Sequence, residues 1–196
     1  MSIKSKTHDT RFLAKLSMLI TLIVIMTFTP LGHLPGVLAI TIVHLPVIVG
    51  AILYGPKVGT ILSLTMGLSS LTKSIIAPTS PLNEFFRNPL ISVLPRLMIG
   101  ISAYFIYKAV VKLTRNQTIG IALGALFGSL SNTVFTLGML YIVYAKQISQ
   151  LQGNIPAHQL ILTIALSNGV LEIIATTLIS IPLILTLKQV FKIQTM

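Results

Sequence analysis

Long apolar stretches alternate with short polar or Pro- and Gly-rich segments along most of the chain. A helix that crosses a membrane needs about 20 predominantly apolar residues, within a range of about 17 to 25. Six stretches meet this requirement and predict helices at about 12–28, 37–53, 57–76, 90–111, 118–145 and 159–187. The pattern therefore predicts an all-α integral membrane protein with six transmembrane helices in a single domain, residues 1–196.

Composition supports a lipid environment. Of the 196 residues, 54% are hydrophobic and only 9% are charged, whereas soluble domains carry about 25% charged residues. The sequence has no Cys, which excludes disulfides and thiolate metal sites. Its four His residues are scattered without a metal-binding spacing, so we expect neither a metal site nor another cofactor.

The net charge of +11 indicates cytoplasmic loops rather than nucleic-acid binding, because no basic patch is interleaved with exposed aromatics. With the N-terminus in the cytoplasm, the inner segments hold Lys4, Lys6, Arg11, Lys15, Lys57, Lys108, Lys112, Arg115, Lys188 and Lys192. The outer loops and outer half of the membrane hold Lys73, Arg87, Arg96 and Lys146. This asymmetry predicts a multi-pass protein of the plasma membrane with both termini in the cytoplasm.

Five polar side chains fall within predicted helices, where each needs a physical reason. They are Arg96, Asn168, Glu172, Asn132 and Lys73. In the predicted topology all of them lie in the outer half of the membrane or at its midplane. We therefore predict an outward-opening pocket in which these five residues bind a substrate.

The charges of this predicted pocket favour a small anion. Lys73 and Arg96 supply two positive charges against one negative charge from Glu172. The planar guanidinium of Arg96 can hold a carboxylate through two hydrogen bonds. The sequence has no Trp and few aromatics, which favours a compact, partly aliphatic acid over a large flat ring.

Structural explanations remain open for four of these five residues. Arg96 and Glu172 could neutralise each other as an ion pair. Lys73 could extend to the membrane interface, and Asn132 could hydrogen-bond a neighbouring helix. His44, beside Pro46, fits a structural partner of a freed carbonyl better than a ligand.

No catalytic set is present. The segment Gly55-Pro56-Lys57 lacks the spacing of a nucleotide-binding P-loop, and the sequence contains no Gly-x-Ser-x-Gly. Glu172 has no second carboxylate near it for acid–base work. The chain is therefore not expected to be an enzyme.

Two segments resemble the substrate-binding S components of energy-coupling factor (ECF) transporters. They are HLPVIVGAILYGPKVG, residues 44–59, and SVLPRLMIG, residues 92–100. The resemblance implies a riboflavin-transporter-like bundle of six helices that binds a vitamin from outside. It also implies a membrane coupling protein and two cytoplasmic ATPase subunits as partners.

Among S components the sequence most resembles those for pantothenate. Hydroxymethylpyrimidine, pyridoxine and riboflavin are alternative substrates. A stand-alone secondary carrier and a structural membrane protein without a ligand are the alternative classes.

The resemblance also implies docking and gating regions. Helix 1 of the family often docks the coupling protein through Ala-x-x-x-Ala, but here Ala14 is followed by Met18, and Ser17 by Thr21. We expect the Gly-rich face with Gly55 and Gly59 to contribute to docking. The candidate gating loops contain Leu31, His33, Leu82 and Asn88.

Overall fold

A computed structural model describes residues 3–34, 40–78, 81–151 and 156–191. The helices within these ranges are α1 (Ile3–Phe28), α2 (Leu45–Tyr54), α3 (Pro56–Ile76), α4 (Pro89–Ser92), α5 (Leu94–Thr114), α6 (Gln117–Leu151), α7 (Ala157–Ile164) and α8 (Val170–Phe191). Two-residue strands, β1 (His33–Leu34) and β2 (Ile40–Thr41), pair antiparallel with His33 opposite Thr41. Short 3₁₀ turns cover Pro30–Gly32 and Pro81–Arg87.

The second helix is shorter than predicted. The apolar run at 37–53 suggested a helix, but α2 begins at Leu45, and Ile40 and Thr41 belong to β2. Residues 37–39 lie outside the described ranges. Pro46 explains the late start, since proline is tolerated in the first turn of a helix but disrupts its interior. Gly55 then separates α2 from α3 with φ of 94°, a conformation that glycine adopts without a steric penalty.

Two other predicted helices contain interruptions. The stretch predicted at 90–111 comprises α4 and α5, with a break at Val93 just before Leu94 and Pro95. The stretch predicted at 159–187 comprises α7 and α8, joined by a π-helical turn at Ala165–Gly169. A π turn adds a residue to the helical register. Asn168 lies in this π turn, and Glu172 lies in the first turn of α8.

Three helical stretches are long and apolar enough to cross a membrane within the described ranges. They are Pro89–Thr114, Gln117–Gln150 and Ala157–Phe191. Phe12–Phe28 and Leu45–Tyr54 are shorter apolar helices. Exposed Leu, Ile and Phe side chains line the outside of these helices, as expected where lipid rather than water surrounds the protein.

One end of the bundle brings together basic residues from several helices. Lys188, near the end of α8, donates to the Tyr107 hydroxyl at 2.6 Å and to Gln117 Oε1 at 3.3 Å. Lys15 of α1 lies 4.1 Å from the centroid of the Phe191 ring. These contacts place the ends of α5 and α8 beside the start of α6. We call this the basic end of the bundle.

A buried polar contact joins three helices near the middle of the bundle. His44 precedes α2 and is fully buried. Its Nε2 lies 3.0 Å from Ser129 Oγ on α6 and 2.9 Å from Thr176 Oγ1 on α8. The partners of His44 Nε2 are therefore hydroxyl groups rather than the freed carbonyl that the sequence suggested.

Helices α3 and α5 cross in close contact at a pair of glycines. A Cβ atom added to Gly100 would lie 2.6 Å from the backbone carbonyl of Gly59, and one added to Gly59 would lie 2.7 Å from the Ala51 Cβ. Neither backbone can move away without disturbing its own helix. The absence of side chains at this crossing therefore sets the distance between α3 and α5.

We predict that Gly100→Ala destabilises the protein, because its new methyl group overlaps the Gly59 backbone. Overpacking of this kind costs about 1–3 kcal/mol. Gly138→Ala on α6 is the matched control, since an added Cβ there meets no atom within 4 Å. The melting temperature of each purified variant should fall for Gly100→Ala and be unchanged or raised for Gly138→Ala. Equal melting temperatures for both variants would contradict the packing argument.

Candidate functional site

A cavity of about 220 Å³ lies at the end of the bundle opposite the basic end. It is bordered by the end of α1, strand β2, the end of α3, the 3₁₀ turn Pro81–Arg87 and the start of α5. Its lining residues are Thr27, Thr41, Val43, Met66, Ser70, Lys73, Ser74, Asn83, Phe86 and Arg96. Two of these side chains are cationic and none is acidic.

Arg96 lies in the first turn of α5 and is 8% exposed. Its Nη1 donates to the carbonyl of Ser92 at 2.7 Å and to that of Ile91 at 3.2 Å. The Ile91 carbonyl would normally accept from the N–H of residue 95, but Pro95 has no N–H to donate. The Pro-Arg sequence thus frees a backbone carbonyl and supplies the guanidinium that occupies it.

The Nε atom of the Arg96 guanidinium is left without a partner by the described residues. This atom is buried, and the Phe86 ring centroid lies 5.4 Å from Cζ. A buried donor without a partner is costly. An anion held side-on by Nε and Nη2 would satisfy it, because this edge of a guanidinium matches the two oxygens of a carboxylate.

Lys73 supplies the second positive charge. It lies in the last turn of α3, and its Nζ donates to the Thr27 carbonyl of α1 at 2.7 Å. This hydrogen bond holds the ends of α1 and α3 together at the rim of the cavity. Lys73 therefore combines a structural contact with a charge that faces the same space as Arg96.

The sequence did not predict most of the uncharged residues that line the cavity. Thr27, Thr41, Ser70, Ser74 and Asn83 all present polar groups to the cavity. On α3 a signal existed, since Met66, Ser70 and Ser74 recur every four residues and so share the face that carries Lys73. Thr27 and Thr41 carried no such signal, because each comes from a separate segment that only the tertiary fold brings here.

Glu172 lies behind the cavity wall rather than in it. Its Oε1 accepts a hydrogen bond from the backbone N–H of Thr41 at 2.9 Å, and it is not among the lining residues. No ion pair joins Glu172 to Arg96 within the described ranges. The alternative of a structural ion pair between them was therefore wrong.

The two asparagines are not brought into this cavity. Asn132 on α6 has a buried Oδ1 without a partner among the described residues. Asn168 lies in the π turn, where its Oδ1 is 3.5 Å from the Ser167 hydroxyl. Neither borders the cavity that contains Lys73 and Arg96, so the structure unites only part of the predicted set.

The candidate gating residues lie around the same end of the bundle. Leu31 is 70% exposed, and the backbone of His33 pairs with Thr41. Asn88 caps α4 by accepting from the Leu90 N–H at 3.0 Å, and its Nδ2 lies 3.3 Å from the Tyr144 hydroxyl. Leu82 belongs to the 3₁₀ turn that contributes Asn83 and Phe86 to the lining.

The residues expected to dock a partner divide into two groups. Ala14, Ser17 and Thr21 are exposed along one side of α1. Gly55 is partly exposed at the turn between α2 and α3, whereas Gly59 is buried against Gly100. In this structure Gly59 therefore serves internal packing, and its docking role stays a prediction.

The cavity offers positive charge and hydrogen-bonding groups. Within the described residues no three His, Cys, Asp or Glu side chains lie close enough together to hold a metal ion. The cavity combines two fixed cations, hydroxyl and amide groups and one aromatic face. Such a lining is chemically complementary to a compact anion that also carries hydrogen-bonding groups.

Comparison with known proteins agrees with this geometry. Residues 11–184 match the family described as the ECF transporter, substrate-specific component. The chain is 30% identical to the pantothenic acid transporter PanT of Lactococcus lactis subsp. cremoris, over 90% of this chain and 93% of that protein. It is 29% identical to the pantothenate transporter PanT of Leuconostoc mesenteroides subsp. mesenteroides, over 85% and 87%. The chain is a membrane protein that belongs to the substrate-specific components of ECF transporters.

Proposed function

We propose that this chain binds pantothenate on the outer side of the membrane for uptake by an ATP-driven ECF importer. In this proposal it assembles with a membrane coupling protein and two cytoplasmic ATPase subunits, which supply the energy for transport. The single observation that carries the choice of substrate is the cavity itself, in which Arg96 and Lys73 face a space without a carboxylate among its described lining residues.

The chemistry of pantothenate matches the lining. Its carboxylate would bind the Nε and Nη2 edge of Arg96, with Lys73 adding a second positive charge. Its amide and two hydroxyl groups need partners of their own, and Thr27, Ser70, Ser74 and Asn83 provide hydroxyl and amide groups around the same space. The two relatives named as pantothenate transporters give independent support.

The distribution of positive charge supports a membrane orientation for this proposal. The cavity is formed where α1 and α3 end and α5 begins, whereas Lys57, Lys108, Lys112 and Arg115 lie at the opposite ends of α3 and α5. Positive charge marks the cytoplasmic side. We therefore place the cavity outside and both termini in the cytoplasm, with six crossings.

Docking to the coupling protein is assigned to α1. Ala14, Ser17 and Thr21 are exposed in this structure and small enough to let another helix approach closely. Gly55 lies at the basic end, where a cytoplasmic contact would extend this surface. Asn132 and Asn168 remain candidates for substrate contact only in a conformation that opens the bundle toward α6 and α7.

Ring-containing vitamins are the alternative substrates. Hydroxymethylpyrimidine, pyridoxine and riboflavin are neutral or weakly basic, and they would offer no carboxylate to the buried guanidinium of Arg96. Phe86 is the aromatic residue among the described lining residues, so a flat ring would find one stacking face. A secondary carrier would favour polar residues in both halves of the bundle.

We predict that pantothenate raises the melting temperature of the purified protein, whereas the three ring-containing vitamins do not. A ligand that binds only the folded state adds about 4 kcal/mol of stability at a thousandfold excess over Kd. The measurement is a thermal-shift series with each vitamin on the same preparation. A shift with a ring-containing vitamin alone would keep the family and refute the proposed substrate.

We predict that Arg96→Ala lowers pantothenate affinity about a hundredfold, since removing one partner of a desolvated charge pair costs about 2–5 kcal/mol. Pantothenol, in which a hydroxymethyl group replaces the carboxylate, should bind the wild type weakly and lose little more in the variant. Isothermal titration with both compounds separates the two effects. Arg115→Asn is the control, because Arg115 is exposed at the basic end and its φ of 55° suits Asn. Unchanged pantothenate affinity in Arg96→Ala would exclude the anion clamp.

We predict a smaller loss for Lys73→Ala, about three- to tenfold in Kd, because Lys73 is only partly buried and water screens its charge. Since Lys73 also bonds the Thr27 carbonyl, the melting temperature of the unliganded variant should fall as well. Titration and thermal melting of the same preparation measure both. A loss as large as that of Arg96→Ala would instead make Lys73 the principal anion contact.

A further inference from the structure

Thr41 separates the cavity from helix α8. It lines the cavity, yet its backbone N–H points away from β1 and donates to Glu172 Oε1 on α8 at 2.9 Å. The two residues are 131 positions apart in the sequence. The hydrogen bond therefore fastens a wall of the cavity to a helix that otherwise takes no part in its lining.

The geometry of the strand explains why this bond is needed. The next residue, Ile42, donates its N–H to the Gly32 carbonyl at 2.9 Å. Successive N–H groups of a strand point to opposite sides. On one side of this segment, the Ile42 N–H bonds the Pro30–Gly32 turn. On the other side, the Thr41 N–H would lack this acceptor if Glu172 were absent, and an unpaired backbone N–H is costly.

Contacts of helix α8 fix the position of Glu172. Glu172 is 9% exposed, and one turn further along the helix Thr176 contacts the buried His44 that precedes α2. The helix is therefore tied both to β2 and to the start of α2, which are separated by only three residues in the chain. The carboxylate cannot move far without disturbing the buried contact beside it.

We propose that Glu172 is a positioning residue for the substrate rather than a ligand of it. By holding the Thr41 N–H, it keeps this wall of the cavity in place and slows the departure of bound pantothenate. The acceptor oxygen is what matters in this role, not the negative charge. This inference rests on the proposed function for its substrate.

The first test is the dissociation rate of radiolabelled pantothenate from the purified protein, followed after adding excess unlabelled compound. Glu172→Ala should raise the rate about tenfold, the factor that corresponds to about 1.4 kcal/mol for a lost hydrogen bond. Glu172→Gln keeps an acceptor oxygen and should stay within about threefold of the wild type. Ser180→Ala, on the same helix, should leave the rate unchanged, since the buried Ser180 hydroxyl has no partner among the described residues.

The second test asks whether Glu172 touches the carboxylate end of the substrate. The ratio of pantothenate to pantothenol affinity should be the same in Glu172→Ala as in the wild type, because Arg96 sets that ratio. A changed ratio would assign Glu172 to direct contact and overturn the proposal. An equal rise in dissociation rate for Glu172→Gln and Glu172→Ala would overturn it too, since charge rather than the acceptor would then be responsible.

The third test needs no substrate. Amide hydrogen exchange reports the opening of individual backbone hydrogen bonds. In the unliganded protein, the Thr41 amide should exchange at least about tenfold faster in Glu172→Ala than in the wild type, and near the wild-type rate in Glu172→Gln. An unchanged exchange rate in Glu172→Ala would refute the positioning role even if pantothenate proves not to be the substrate. Failure of the wild type to bind pantothenate would refute the proposed function alone.

Discussion

A guanidinium group buried among apolar helices must find acceptors, and this requirement organises the end of the bundle that contains the cavity. Arg96 meets it with the carbonyls of Ile91 and Ser92, which are accessible because the helical path breaks at Val93 and because Pro95 donates no hydrogen bond. The same break lets the 3₁₀ turn Pro81–Arg87 bring Phe86 beside the guanidinium. The backbone carbonyls offset part of the cost of burying the charge, whereas Nε has no partner among the described residues.

Positive charge serves different purposes at the two ends of the molecule. At the basic end, Lys188 is held by the Tyr107 hydroxyl and by Gln117 Oε1. At the other end, Lys73 and Arg96 face a shared cavity, and Glu84 pairs instead with Arg87 in an exposed contact at 3.7 Å. Only the second arrangement leaves fixed cations facing a space that a small anion can enter.

The bundle that supports this cavity depends on close helix contacts and buried polar pairs rather than on large apolar side chains alone. The Gly59–Gly100 crossing draws α3 and α5 together, which sets the distance between the helices that carry Lys73 and Arg96. His44 ties α6 and α8 to the start of α2, and Glu172 extends that connection to β2. The cavity wall is therefore continuous with the middle of the bundle.

The sequence by itself determined the membrane character, the helical architecture and the family, because length and apolar composition decide whether lipid can surround a helix. It also predicted that Arg96 and Lys73 share a pocket, because charged residues in apolar helices are costly and need a physical reason. Both residues line the same cavity in the structure. The predicted start of α2 was wrong, because a short apolar run is compatible with either a strand or a helix. In the structure the helix begins only at Leu45, with Pro46 in its first turn. Only the tertiary structure excluded Asn132 and Asn168 from the cavity and placed Glu172 behind Thr41. Sequence spacing defines which residues share a face of one helix, but the direction that each face takes depends on packing between helices and on local changes such as the π turn at Ala165–Gly169.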